Sequence, residues 1–269
     1  AASDVYKRQI IRITLGKEDQ ARFKEKYGFL AKKNKLNKTI WIHGASVGEI
    51  LSIIPIIKRL EMDKKIEQIL ITSSTTSSSY ILSKYKFKKA VHQFYPFDLD
   101  FITKHFINHW KPKLAIFVDS EIWPNMFNNL HKKNIPLILL NARITRKSFN
   151  RWKFFPNFSK KIFEKITLAL PQNIESKKYL KLLGTKKIKL VGNLKFFGGL
   201  QKDNVNLILK KKFSKKVIFC AASTHRTEEL FVGRVHKELK SEIKNLITII
   251  IPRHINRKKE ILNELNNIG

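Results

Sequence analysis

Residues 39–60 read T-I-W-I-H-G-A-S-V-G-E-I-L-S-I-I-P-I-I-K-R-L. The first five suit a strand covered on both faces, because apolar and β-branched side chains fill them. Gly44, Ala45, Ser46 and Gly48 are small enough for a tight turn. The stretch from Glu49 to Leu60 then carries a helical apolar pattern, which Pro55 is expected to kink. A strand that passes through such a turn into a buried helix is half of a β-α-β unit. Glu49 falls in the first helical turn, where a carboxylate is favoured by about 0.3–1 kcal/mol against the helix dipole. That reading requires no function. The alternative is that the carboxylate serves chemistry, and the rest of the chain has to decide.

Outward from this stretch the pattern repeats. Apolar strands are predicted at 68–72, 90–94, 114–118, 137–140, 166–170 and 188–191, with helices between them. Such an alternation implies a parallel sheet with helices on both faces, a doubly wound α/β domain. After G-N-L-K-F the segment F-G-G-L-Q-K-D-N (197–204) reads as a linker. Strands at 216–222 and 246–251 then begin a second β-α-β-α run, with a helix from about Thr227. The organisation expected is one Rossmann-like domain over 10–200 and the opening of another over 201–269. Two parallel strands cannot bury their own faces, so the second domain reads as incomplete.

Composition narrows the function classes. Of 269 residues, 54 are Lys or Arg and 21 are Asp or Glu, a formal charge of +33. Phosphate-bearing partners of some kind are expected. The lysines are scattered along the chain, which favours compositional bias and attraction to an anionic membrane over specific nucleic-acid binding. No nucleic-acid-reading motif is present either. The single cysteine, Cys220, excludes an internal disulfide and reads as a buried strand residue in a reducing compartment. No run of about 18 apolar residues could span a bilayer.

Ligands of open α/β sheets bind beyond the carboxyl ends of the strands. The polar residues expected there are Glu49, Asp119, Glu121, Asn141 and Arg143, then Ser223, Thr224, His225, Arg253 and His254. In V-D-S-E-I-W-P-N (118–125), Asp119 could simply cap a helix that has Pro124 in its first turn. Alternatively Glu121 faces Glu49, and two like charges raise one another's proton affinity, as a general base requires. Lys195 of G-N-L-K could neutralise a leaving phosphate or be one more solvated lysine. The helix start after A-S-T-H-R-T-E-E (222–229) suits a phosphate, and Arg253 of I-P-R-H could fork onto one. The T-S-S-T-T-S-S-S run (72–79) reads as a polar turn contacting a sugar or an anion. No P-loop or glycine-rich dinucleotide fingerprint occurs, and His43, His225 and His254 lack metal-site spacing.

Taken in order, H-G-A-S-V-G-E, D-S-E-I-W-P-N, N-A-R-I-T-R-K-S, G-N-L-K-F, A-S-T-H-R-T-E-E and I-P-R-H resemble the serial motifs of the bacterial Kdo transferases. The resemblance spans roughly residues 15–260. It implies a glycosyltransferase B fold, with two Rossmann-like domains and the active site between them. It implies transfer of 3-deoxy-D-manno-octulosonic acid (Kdo) from CMP-Kdo to a lipid A precursor, inverting and without metal or cofactor, at the cytoplasmic face of the inner membrane. By the same resemblance Glu49 is the general base and Glu121 and Lys195 stabilise the transition state. Pro252 and Arg253, with the Ser223–Thr224 turn nearby, contact the CMP donor. Three departures stand out. Residues 10–20 are similar only to the trailing edge of the family's hydrophobic anchor. A glycine-rich nucleotide-binding continuation is not in this sequence, so the chain reads as a fragment. Phe197 stands where the family carries an acid. The rival expectations are another nucleotide-sugar glycosyltransferase of the same fold, or a basic nucleic-acid-binding protein.

Overall fold

The structure, a computed structural model, describes residues 19, 21–29, 38–194 and 207–268. The chain divides into two compact units, Ala1–Gly199 and Leu200–Gly269.

The first unit is built on a six-stranded sheet. Its strands are β1 (Thr39–His43), β2 (Gln68–Ser73), β3 (Ala90–Phe94), β4 (Leu114–Val118), β5 (Leu137–Ala142) and β6 (Leu168–Pro171). They lie in the order β3-β2-β1-β4-β5-β6, and every pairing is parallel. The order reverses on either side of β1, so the crevice of a doubly wound sheet opens beside the carboxyl ends of β1 and β4. The intervening helices are α1 (Val47–Glu61), α2 (Thr76–Ser83), α3 (Asp100–Trp110), α4 (Pro124–Lys132), α5 (Arg146–Lys153), α6 (Pro156–Phe163) and α7 (Ile174–Leu183). Helix α1 runs through Pro55.

The period of two along each strand sorts the core into layers. Trp41, Leu70, Phe117 and Leu139 point to a face packed with Phe106 and Trp110 of α3, Phe127 of α4 and Phe163 of α6. Ile42, Ile69, Ile71, Ile116 and Val118 point to the other face, where Ile50, Ile53 and Ile57 of α1 cover them. One face is thus rich in aromatics and the other in isoleucine. Each buried large apolar side chain contributes about 1.5–3 kcal/mol.

A 3₁₀ turn, Phe23–Tyr27, covers the edge strand β3. The Glu25 carboxylate accepts from Phe94 N at 2.7 Å, and Arg22 Nη2 donates to His92 O at 2.9 Å. Backbone groups of the edge strand are thereby engaged, which blunts a template for unwanted pairing.

The second unit contains α8 (Leu207–Phe213), β7 (Val217–Thr224), α9 (Glu228–Glu242), β8 (Leu246–Pro252) and α10 (Lys258–Asn266), with β7 and β8 parallel. Apolar residues of this sheet stay exposed, among them Val217, Ile218 and Ile251.

Four expectations need correcting. Residues 188–191 form no strand: Ile188 makes an isolated bridge to Ala169, while Lys189, Leu190 and Val191 are exposed. The Thr/Ser run is the end of β2 followed by helix α2. Thr75 caps that helix by accepting from Ser78 N, and Leu82 anchors it in the core. Cys220 lies on β7 but is exposed, as are Ile218 and Ala222, which alternate with the half-buried Phe219 and Ala221. Asp119 does not cap α4, which begins five residues later at Pro124. Asp98 does so from across the loop, its carboxylate accepting from Asn125 N at 3.0 Å and Met126 N at 2.8 Å. The 197–204 linker expectation falls outside the described residues.

Candidate active site

Glu49 is held by the turn that precedes it. Ser46 is the N-cap of α1, and its hydroxyl oxygen accepts from Glu49 N at 3.4 Å while donating to Glu49 Oε1 at 2.8 Å. Ala45 N donates to Glu49 Oε2 at 2.7 Å. The S-x-x-E spacing is that of a capping box, a signature legible in the sequence that the dipole argument alone passes over. Gly44 makes the close approach possible. A Cβ there would meet Glu49 Cβ at 3.3 Å and Ile50 Cδ1 at 3.4 Å.

Two opposing influences set the proton affinity of Glu49. Burial raises its pKa above the ordinary carboxylate value and is the largest cause. The hydrogen bonds from Ser46 and Ala45 lower it, and the charges of Glu121 and Asp119 add to the rise. The net direction is upward. The neighbouring carboxylates do act as the sequence suggests, but desolvation dominates.

Glu121 sits at the end of a buried relay. Trp41 Nε1 donates to Thr72 Oγ1 at 2.9 Å, and Thr72 Oγ1 lies 3.0 Å from His43 Nδ1. His43 Nε2 lies 3.2 Å from Glu121 Oε2, which also accepts from Trp123 Nε1 at 2.8 Å. If the Thr72 hydroxyl, already accepting from Trp41, donates to Nδ1, the remaining imidazole proton is on Nε2 and points at Glu121. Every group in this relay is then satisfied. The imidazole is fully buried and stacks on Tyr95, with centroids 4.0 Å apart. His43 Nε2 and Trp123 Nε1 both meet Oε2. Sequence reasoning gave His43 no part in the site, because only the register of β1 against β2 and β4 aligns Thr72, His43 and Glu121.

Strand ends in each unit carry strained backbone. Asp119 has φ 62°, Asn141 φ 52° and, in the second unit, Ser223 φ 62°. Non-glycine residues held in the left-handed region cluster at functional sites. Ser120 Oγ bridges Asp119 Oδ1 and Arg143 O, both at 2.9 Å. Asn141 lies at an irregularity between β5 and β6, and its Oδ1 accepts from Leu194 N at 3.0 Å. This bond ties the G-N-L-K segment to the carboxyl end of β5. Lys195 itself lies outside the described residues. Arg143, Thr145, Arg146, Gln172, Asn173 and Asn193 line a neighbouring polar cavity of about 350 Å³.

In the second unit Ser223 is exposed, and Arg253 is exposed at the end of β8, next to the half-buried Pro252. Arg253 N donates to Thr224 O at 2.9 Å, so the two strand ends are stitched together. The Thr224 hydroxyl is committed, donating to Glu229 Oε1 at 2.9 Å. Glu229 is fully buried and takes Arg257 Nη1 at 3.0 Å. Burial pushes its pKa upward, but its own backbone N–H, Thr224 and Arg257 together hold it below the ordinary value. Among the described residues, no group of three His, Cys, Asp or Glu side chains gathers as metal ligands would.

Comparison with known proteins agrees with the motifs. The family described as 3-deoxy-D-manno-octulosonic-acid transferase (kdotransferase) matches residues 21–197. A 3-deoxy-D-manno-octulosonic acid transferase of Rickettsia bellii is 35% identical over 94% of this chain and 60% of its own length. One from Haemophilus influenzae is 31% identical over 88% of this chain and 57% of its own. The chain thus spans just over half the length of these curated relatives. Among solved structures, a UDP-GlcNAc 2-epimerase from Neisseria meningitidis superposes with a TM-score of 0.61 at 16% identity, covering 86% of this chain and 69% of that one. A putative UDP-N-acetylglucosamine 2-epimerase from Listeria monocytogenes gives 0.62 at 15%, covering 87% of this chain and 66% of that one. These likenesses carry the fold, α/β of the glycosyltransferase B type, and nothing about the reaction. By its ordered motifs and by the family match over most of its length, the chain belongs to the 3-deoxy-D-manno-octulosonic-acid transferases.

Proposed function

We propose that the whole protein transfers Kdo from CMP-Kdo to a lipid A precursor, with inversion and without a metal, at the cytoplasmic face of the inner membrane. The observation that carries this reading is Glu49: a carboxylate fixed at the carboxyl edge of the sheet, with its proton affinity raised by burial. A general base needs such tuning, because a carboxylate at its ordinary value is a weak acceptor near neutrality.

In this reading Glu49 takes the proton of an acceptor sugar hydroxyl. The hydroxyl oxygen attacks the anomeric carbon of Kdo from the face opposite the phosphate. The bond from that carbon to the phosphate oxygen breaks, and CMP departs with the electron pair. Positive charge develops at the anomeric centre, and Glu121, whose orientation His43 and Trp123 fix, stabilises it. Lys195 offsets the negative charge on the departing phosphate. Arg253 and Pro252 contact the nucleotide, with the exposed Ser223 and its neighbour Thr224 alongside. Since the Thr224 hydroxyl is engaged by Glu229, its contact falls to the backbone.

The test is direct. The full-length protein, given CMP-Kdo and a lipid A precursor, yields a Kdo-bearing product and free CMP, and calorimetry shows binding of CMP but not of UDP. Binding of UDP in preference would move the protein to another nucleotide-sugar class.

A further inference from the structure

Between Arg143 and Phe163 the chain carries seven Lys or Arg residues, six aromatic residues and no Asp or Glu. The structure sorts the aromatics into two layers. Phe149 stacks on Tyr179 with centroids 4.4 Å apart, and Trp152 meets Phe163 edge-on at 5.2 Å. The outer layer is formed by Phe154, Phe155 and Phe158, which are 79%, 69% and 48% exposed. Helix α5 buries none of its residues. Large apolar side chains grouped at the surface in this way mark a surface that meets something.

The corner that displays them is well fixed. Phe155 N donates to Trp152 O at 3.2 Å, and Pro156 starts α6 at once. Ser159 Oγ donates to the carbonyls of Trp152 and Phe155. Phe158 also stacks on Trp152, with centroids 6.3 Å apart. Beside the corner lies a groove of about 720 Å³ lined by Trp152, Tyr179 and Leu182 together with Lys153, Lys160 and Lys178.

We propose that the α5–α6 corner is a membrane-docking surface, which seats Phe154, Phe155 and Phe158 among the acyl chains of an anionic bilayer while the surrounding Lys and Arg hold its headgroups. Charge selects this occupant. The segment 143–163, with seven cations and no acid, complements an anionic lipid surface even with Glu164 and Glu175 beside it, and aromatic side chains settle at the boundary between headgroups and acyl chains. A second copy of the chain would set the same seven cations against one another across a two-fold contact. The inference rests on the proposed lipid acceptor for its purpose. Helix α5 begins five residues after Asn141, so docking by this corner keeps the carboxyl edge of the sheet close to the lipid surface.

The test compares the full-length protein with its Phe154→Ser/Phe155→Ser/Phe158→Ser variant. Cosedimentation is run with vesicles of phosphatidylcholine alone and of phosphatidylcholine with phosphatidylglycerol, at about 0.15 M salt, where screening limits the reach of charge to roughly 8 Å. The wild type is expected to pellet with the anionic vesicles, and the variant to partition at least about tenfold more weakly. On a water-soluble, deacylated acceptor the variant keeps its activity within about twofold, while on vesicle-borne acceptor it falls about tenfold. Equal pelleting of variant and wild type would overturn the proposal, and so would a parallel loss on both acceptors. A wild-type dimer that the variant disrupts, without any vesicle binding, would assign the surface to a second copy instead. If the wild type binds anionic vesicles but transfers to neither acceptor, it is the functional reading that fails and the docking surface that stands.

Discussion

At Glu49 a structural role and a proposed chemical one meet in one carboxylate. The capping box stabilises the start of α1, and the burial that comes with it raises the proton affinity of the same group. Its two hydrogen bonds oppose that rise, so the value reflects a balance that single substitutions shift predictably. Replacing Glu121 by Gln removes a negative charge that favours the protonated form, and the Glu49 titration, followed by 13C NMR of its carboxyl, is expected to move to lower pH. A Glu49 titration unmoved by that change would show that the two carboxylates do not sense each other. His43 gives a second check. His43→Leu leaves Glu121 with Trp123 alone and the Thr72 hydroxyl with Trp41 alone, for a stability loss of about 1–3 kcal/mol in chemical denaturation. Gln at this position, which can still donate toward Glu121, recovers part of the loss.

Among the elements, those legible in the sequence were the ones whose signal is carried by burial. β1, β3 and β4 form where their apolar and β-branched runs predict, and α1 follows its isoleucine period within two residues at either end. The I-K-L-V run looks alike in composition but sits past β6 at the margin of the sheet. There it pairs through Ile188 alone, and no neighbour covers its other side chains. Helix α2 was hidden for the opposite reason: Ser and Thr disfavour helix interiors, and Thr75 as cap with Leu82 as anchor outweighs them. The cap of α4 by Asp98 is a contact between residues far apart in sequence, which no local pattern encodes. Two outcomes follow for these elements. Ile53→Ala removes a fully buried side chain of α1 and is expected to cost about 2–5 kcal/mol in chemical denaturation. The clip on β3 makes stability depend on pH. Burial, and then the Arg22 charge, lower the pKa of His92 to about 3 from the ordinary 6.5. The unfolded chain therefore binds this proton first, so the contribution is complete above about pH 6.5 and is lost as pH falls toward 3. Thermal unfolding between pH 7 and 4 should show a decline that His92→Gln flattens, and an unchanged slope would remove His92 as its source.

In the whole molecule, charge and site geometry are separate properties. The candidate site was proposed from the sequence because its polar residues stand at strand ends, where a doubly wound sheet presents its ligand-contacting groups. The coupling of His43 to Glu121 depends on register, and the aromatic corner of α5 and α6 depends on which phenylalanines the core leaves outside. Neither is readable from composition. A net charge of +33 without a nucleic-acid-reading site predicts binding to duplex DNA at low salt that is largely gone by about 0.15 M. Fluorescence anisotropy across a salt series checks this, and tight duplex binding that persists at the higher salt would favour a nucleic-acid function.

The decisive measurement is single-turnover transfer by the full-length Glu49→Gln enzyme, with CMP binding followed in parallel by calorimetry. Loss of a general base typically lowers the rate by about 10²–10⁴, and Gln preserves the size of the side chain at the capping box. The expected result is a transfer rate reduced by at least about 10²-fold, with CMP affinity within about twofold of wild type, because the nucleotide contacts are assigned to the second unit. A Glu49→Gln enzyme that keeps more than about a tenth of the wild-type rate would contradict the role of Glu49 as the base.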